Sequence, residues 1–134
     1  MKILFICRAN AGRSQMAEAF YNKMTNSHDA TSAGVDLKNS VKGDDPSIPE
    51  LVIEVMKEVG IDMSEKKRKV VTPQMAEAAE KVIIITDHPM PEYLKDSHDI
   101  EMWLDIPDAV RTPIEFHREV RDMVERKVQE LVKN

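Results

Sequence analysis

Lys2-Ile3-Leu4-Phe5-Ile6-Cys7-Arg8-Ala9-Asn10-Ala11-Gly12-Arg13-Ser14-Gln15-Met16-Ala17-Glu18-Ala19-Phe20 opens the chain with a strand, a loop and a helix in that order. The run Lys2 to Ile6 reads as a buried strand. From Ser14 to about Met24 the helical period puts Met16, Phe20 and Met24 on one face. The loop between them, Cys7 to Arg13, can curl so that its backbone N–H groups point inward. With the helix N-terminus behind it, that curl is an anion cradle. Gly12 permits the tight turn without a side-chain clash, and Asn10 tolerates left-handed backbone.

The side chains in this loop suit phosphate chemistry. A thiolate is the reactive form of cysteine, and a helix N-terminus beside a guanidinium favours it at Cys7. Arg13 offers a planar fork of donors that matches two phosphate oxygens. Ser14 can donate its hydroxyl hydrogen to the sulfur and ease its departure in a second step. The spacing of Cys7 and Arg13 alone also fits a small core residue and a solvated charge at a helix start. The strand before the loop, the glycine within it and the serine after it favour the cradle.

Outward from this unit, Ala30 to Ala33 reads as a second strand closed by Gly34, and Leu37 to Pro46 as a loop. Ser47 with Glu50 has the spacing of a capping box and predicts a helix start. Val52, Val55, Met56 and Val59 carry that helix to a stop at Gly60. Thr72 before Pro73 starts another helix, running to about Ala79. Val82-Ile83-Ile84-Ile85 is an unbroken β-branched run, the pattern of a parallel strand covered on both faces. A short helix at Glu92 to Leu94 and a short strand at Ile100 to Trp103 follow. Thr112, Pro113 and Glu115 then open a long final helix with Phe116, Val120, Met123, Val124, Val128 and Leu131 on its apolar face. Strands alternating with helices predict an α/β fold: one three-layer domain over residues 1–134, with a four-stranded parallel sheet flanked by helices. Ligands of such sheets sit beyond the carboxyl ends of the strands, where Cys7 lies.

The chain has 134 residues, 42% apolar and 32% charged, as expected for one globular domain. A net charge of -5 argues against nucleic acid or a membrane surface as partner, since both are polyanionic. Ile3 to Ile6 is too short for a signal-peptide core and runs into Arg8. A single cysteine excludes an internal disulfide and fits a reducing, cytoplasmic setting. His28, His88, His98 and His117 lack metal-ligand spacing, so no metal or cofactor is expected, and they read as surface or local structural residues.

Cys7, Asn10, Arg13 and Ser14, followed by Gln15-Met16-Ala17-Glu18-Ala19, resemble the phosphate loop of the low-molecular-weight protein-tyrosine phosphatases and the related arsenate reductases. Ser32-Ala33-Gly34, Gly60-Ile61-Asp62-Met63-Ser64 and the final helix extend the resemblance over nearly the whole chain. It implies Cys7 as nucleophile, Arg13 as phosphate clamp, and Arg8, Ala9, Asn10, Ala11, Gly12 and Ser14 as substrate-binding residues. The implied reaction is hydrolysis of phosphate monoesters, protein phosphotyrosine foremost, through a cysteinyl-phosphate. Phosphorylated proteins, small phosphate esters and the oxyanions phosphate, sulfate and arsenate are the implied partners. Ser32 is implied to join a hydrogen-bond network behind the loop.

The resemblance also implies a general acid on a late loop. Asp105-Ile106-Pro107-Asp108-Ala109 maps it onto Asp108, with Asp105 as second choice, and Ala109 departs from the proline that relatives carry there. An arsenate reductase that borrows an external thiol (glutathione, mycothiol or glutaredoxin) is the alternative activity. The thioredoxin-coupled relatives carry extra cysteines after the strand matching Val82–Ile85, and here Ile85-Thr86-Asp87-His88-Pro89 has none. Ala109 and Val110 stand where tyrosine-specific members have aromatic residues, and Ala11 where they are often bulky. Lys66-Lys67-Arg68-Lys69 reads as a solvated basic loop, and Trp103 as a core residue.

Overall fold

The structure, a computed structural model, describes residues 1–95 and 99–133. His98 lies outside the described residues. In chain order the elements are β1 (Ile3–Cys7), α1 (Arg13–Thr25), β2 (Ala30–Gly34), α2 (Glu50–Lys57), α3 (Pro73–Ala78), β3 (Lys81–Ile84), α4 (Glu92–Lys95), β4 (Ile100–Met102) and α5 (Ile114–Lys133). The four strands form one parallel sheet in the order β2-β1-β3-β4. The α/β prediction therefore holds, with helices on both faces. Strand β1 is buried along its whole length, and its alternation sorts the two cores. Ile3, Phe5 and Cys7 face a core built with α1, α2 and α5. Leu4 and Ile6 face the other, with Ala76 of α3 and Leu94 of α4. Trp103 is buried against Phe5, ring centroids 5.7 Å apart.

Strand order decides where a ligand can sit. The chain leaves β1 for β2 on one side, then returns to place β3 on the other, so the connections diverge beyond the end of β1. Open α/β sheets bind their ligands at such a divergence, beyond the carboxyl ends of the strands. Cys7 is the last residue of β1, at that end of the sheet, and is buried there. Helix α1 then runs between sheet and α5. Ser14 to Tyr21 are all buried, so α1 is covered all round rather than apolar on a single stripe.

Four local expectations are corrected. Strand β1 ends one residue later than expected and β3 one residue earlier, although the Ile85 N–H still donates to the Ile6 carbonyl at 2.7 Å. Ser47 opens no helix. Its N–H and hydroxyl both donate to Asp45 Oδ1, at 2.9 and 2.8 Å, and α2 starts at Glu50 behind Pro49, without a side-chain cap. The nearby carboxylate outcompetes the capping box for the serine. The Lys66–Lys69 run is solvated only in part: Lys67 is exposed and Lys66 and Lys69 are partly so, but Arg68 is only 5% exposed.

Other signals act as read. Thr72 Oγ1 accepts from the Met75 N–H at the start of α3. At the end of α2, Gly60 takes φ +82°, its N–H donating to the Lys57 carbonyl and the Ile61 N–H to the Met56 carbonyl, a Schellman closure.

Glu58, which follows α2, ties that helix to α5. Arg118 Nη2 donates to it at 2.8 Å and Arg121 Nη1 at 2.7 Å. Hydrogen bonds from Arg118 and then Arg121 hold its carboxyl down at about 2, against an ordinary 4.5. The folded chain therefore binds fewer protons than the unfolded chain between those values. The stabilisation is complete above the ordinary value and fades as pH falls toward 2. In Glu58→Gln the acid limb of a stability–pH curve in that window should flatten. An unchanged limb would show that the pair does not contribute.

Candidate active site

The loop after β1 is organised around one buried side chain. Asn10 takes φ +53°, in the left-handed region that asparagine tolerates. Its Oδ1 accepts from the Lys69 backbone N–H at 2.9 Å and from Gln15 Nε2 at 2.9 Å. A backbone N–H can only donate, so the amide's orientation is settled and Nδ2 must face the other way. Nδ2 donates to Ser14 Oγ at 2.8 Å and Ser32 Oγ at 3.0 Å. Ser14 Oγ also stands 2.9 Å from Cys7 Sγ, a contact in which the hydroxyl donates when the sulfur is a thiolate. Ser32 Oγ donates in turn to Glu18 Oε1 at 2.9 Å, and Glu18 is closed by Lys66 Nζ at 3.1 Å. A hydrogen-bond chain thus runs from the sulfur through Ser14, Asn10, Ser32 and Glu18 to a surface lysine.

The backbone is held from outside as well. The Arg8 carbonyl accepts from the N–H groups of Val35 and Asp36, at 2.9 and 2.8 Å. The Ala9 carbonyl accepts from Arg68 Nε at 3.1 Å. Gly34, paired with Cys7 in the sheet, lies so close that a Cβ there would meet the Arg8 oxygen at 2.7 Å and the Asn10 nitrogen at 2.8 Å. Gly12 precedes Arg13 as the N-cap of α1 and has no side chain to cap it. Ala11 and Gly12 are half-buried in the same turn.

Arg13 is the first residue of α1. Its Nη1 donates to the Ile85 carbonyl at 2.7 Å, just past β3, and to the Ile106 carbonyl at 3.3 Å. Nε and Nη2 make no hydrogen bond among the described residues, leaving the edge that suits a two-oxygen clamp. Nη2 stands 3.7 Å from Asp108 Oδ2. Asp108 is 52% exposed in its side chain and also accepts the Val110 N–H at its Oδ1. Asp105, by contrast, pairs with Lys127 of α5 at 3.2 Å. Arg8 turns outward to Asp36, 3.4 Å away, and His88 Nε2 reaches the same carboxylate at 3.5 Å. Burial works against ionisation of Asp36, but hydrogen bonds from Asn39 and the charges of Arg8 and His88 outweigh it and hold the carboxyl below its usual range. His117 is buried, its ring against the Pro113 carbonyl. Among the described residues no group of three or more His, Cys, Asp or Glu is placed to hold a metal ion.

The structure thus gathers Cys7, Asn10, Ser14 and Ser32 into one network, and Arg13 with Asp108 beside it. Sequence reasoning missed Gln15, Glu18, Asp36, Arg68 and Lys69. A signal existed for Gln15 and Glu18: they stand with Ser14 at helical spacing on a helix otherwise rich in apolar residues, the mark of polar side chains facing something polar. None existed for Arg68, whose acceptors are far off in the chain.

A thiol at the tip of a central parallel strand, held by a serine under a left-handed asparagine with a guanidinium at the helix start, defines a class of oxyanion-handling cysteine proteins. The chain belongs to the low molecular weight phosphotyrosine protein phosphatase family, whose family model matches residues 2–134. A relative from Halobacterium salinarum, carrying the provisional name of arsenate reductase, is 34% identical over 97% of this chain and 89% of its own length. A solved arsenate reductase in the phosphate-binding state superposes with a TM-score of 0.81 at 27% identity, over 99% of this chain and 98% of its own. The YwlE arginine phosphatase from Geobacillus stearothermophilus gives 0.79 at 27% identity, over 98% and 90%.

Two substitutions probe the framework without touching the thiol. Gly34→Ala should lower the unfolding free energy by about 1–3 kcal/mol, because backbone atoms of the loop stand in the way of the new carbon. Asn10→Ala should cost at least about 1–3 kcal/mol, because it leaves buried donors and acceptors unpaired. Denaturant melts measure both, and a loss well below 1 kcal/mol for Asn10→Ala would contradict the network described.

Proposed function

We propose that the chain is a cysteine-dependent phosphatase acting on phosphate monoesters, with residues 1–134 as one low-molecular-weight-phosphatase-like domain. The observation that carries this reading is the Asp108 carboxylate, 3.7 Å from the Arg13 guanidinium, in a chain that has no second thiol. Ester hydrolysis needs a group to protonate the leaving oxygen, and needs only one sulfur.

In this mechanism the Cys7 thiolate attacks phosphorus in line with the ester oxygen. The P–O bond breaks as Asp108 transfers its proton to the departing alcohol, leaving a cysteinyl-phosphate. The Asp108 carboxylate then takes a proton from water, whose oxygen attacks phosphorus. The P–S bond breaks, the electron pair returns to sulfur, and phosphate leaves. The Ser14 hydroxyl stabilises the departing thiolate. Arg13 and the amides of Arg8, Ala9, Asn10, Ala11, Gly12 and Ser14 stabilise the equatorial oxygens. The phosphate, sulfate and benzylphosphonate bound to solved members of the fold support an oxyanion and phosphate-ester site. A reducing cytoplasm is the setting proposed for the thiol.

Phosphotyrosine in a protein is the substrate that the family's name carries. A ring wall for it is not supplied in the obvious way: Phe5, Phe20, Tyr21 and Trp103 are in a core, and Tyr93 and Phe116 pack against one. The reading therefore commits to the phosphoryl group before the ring. The relative at 34% identity favours a second reading, arsenate reduction. With one cysteine, that reaction must draw its second thiol from glutathione, mycothiol or a glutaredoxin.

Hydrolysis of p-nitrophenyl phosphate separates the two. The wild-type chain should turn it over without added thiol. Cys7→Ser should abolish turnover and keep phosphate binding, and Asp108→Asn should lower kcat about 10²- to 10⁴-fold. Arsenite formation that needs added thiol, with no ester hydrolysis, would establish the reductase instead.

A further inference from the structure

The basic run Lys66-Lys67-Arg68-Lys69 lies against the back of the phosphate loop. Lys66 closes Glu18, the Lys67 carbonyl accepts from Gln15 Nε2 at 2.9 Å, and the Lys69 N–H donates to Asn10. Arg68 goes further, because it joins this loop to another. Nε donates to the Ala9 carbonyl at 3.1 Å. Nη1 donates to the carbonyls of Gly43 at 3.3 Å and Asp45 at 2.6 Å. Nη2 donates to the Leu37 carbonyl at 3.4 Å and Ser40 Oγ at 2.6 Å. Every acceptor is a carbonyl or a hydroxyl, and Arg68 forms no ion pair among the described residues.

A buried cation without a carboxylate in contact is costly, so its fork must be held by geometry. Burial pushes the Arg68 guanidinium below its usual range, against the pull of Asp45 and Cys7. No peptide bond among the described residues is cis, so holding the Ala9 carbonyl toward Arg68 turns the Asn10 N–H the opposite way. Arg68 thereby fixes the peptide plane entering Asn10, whose left-handed backbone and amide set Ser14 on the sulfur. The far side of the fork gathers residues 37–45. Within them Asn39 offers its carbonyl to Arg8 Nη2 at 3.4 Å and donates to Asp36 at 2.9 Å, so the outward residue of the phosphate loop is braced by the same segment.

We propose that Arg68 is a positioning residue for the oxyanion site: its guanidinium clips the 37–45 segment to the Ala9 carbonyl, and oxyanion affinity depends on that clip. The proposal rests on the phosphatase reading above and deepens it.

Calorimetric titration of inorganic phosphate into the full chain tests it without requiring turnover. Arg68→Met removes the fork, and phosphate should bind about 10- to 100-fold more weakly. Its circular dichroism should stay native, and trypsin should cut sooner after Lys38 and Lys42. With p-nitrophenyl phosphate the loss should fall on KM more than on kcat. Arg68→Lys keeps the charge and reaches fewer acceptors, so it should restore part of the affinity. Phosphate binding by a native-like Arg68→Met within twofold of wild type overturns the proposal, and Arg68 is then a loop anchor only. If Arg68→Met does not fold, Arg68→Lys decides, and wild-type affinity there overturns it equally. A wild-type chain that binds no phosphate overturns the phosphatase reading and the clip with it.

Discussion

The Lys69 backbone N–H donates to the side-chain oxygen of Asn10, and the orientation of the amide at the centre of the site follows from it. Because that donor cannot reverse, the Asn10 amide cannot flip, and its nitrogen must serve Ser14 and Ser32. Ser14 in turn stands 2.9 Å from the sulfur, where its hydroxyl is free to donate to a thiolate. Buried side-chain polarity of this kind is stabilising only when complete, since each unmet group inside a dry network costs more than a made bond returns. The network extends from the thiol to Lys66 at the surface, and of its buried side-chain atoms Gln15 Oε1 lacks a partner among the described residues.

The fold's contribution is to bring three distant backbone segments to this point. The strand order places Cys7 where the sheet's connections diverge, and β2 brings Gly34 beside it with no side chain to push the loop away. The end of β3 presents the Ile85 carbonyl, and the 105–108 loop the Ile106 carbonyl, to one nitrogen of Arg13. A guanidinium anchored at one corner keeps its open edge in place without a ligand, so little rotamer entropy remains to be lost on binding. The same loop carries Asp108 to that edge, while Lys127 draws Asp105 off toward α5.

Much of this was legible early. The strand–loop–helix order, the parallel β3 and the long final helix follow from apolar periodicity and from Gly and Pro signals, which act over a few residues. The Thr72 cap and the Gly60 stop succeeded for the same reason. Ser47 failed because a second local partner, Asp45, stood two residues away, and a capping pattern does not rank competing acceptors. The basic run failed differently. Charge patterning predicts solvation, yet Arg68 is buried by carbonyls that carry no side-chain signature.

By itself the sequence determined the strand–loop–helix unit, since Cys7, Asn10, Gly12, Arg13 and Ser14 lie within one short stretch of chain whose path is set by short-range sterics and helix geometry. Only the tertiary structure decided what supports them: Lys69 on Asn10, Arg68 on Ala9, the Ile85 carbonyl on Arg13, and Asp108 rather than Asp105 beside the guanidinium. Those partners come from far along the chain, and most meet through backbone atoms. Every residue has the same backbone N–H and C=O groups, so sequence cannot say which of them will be buried together.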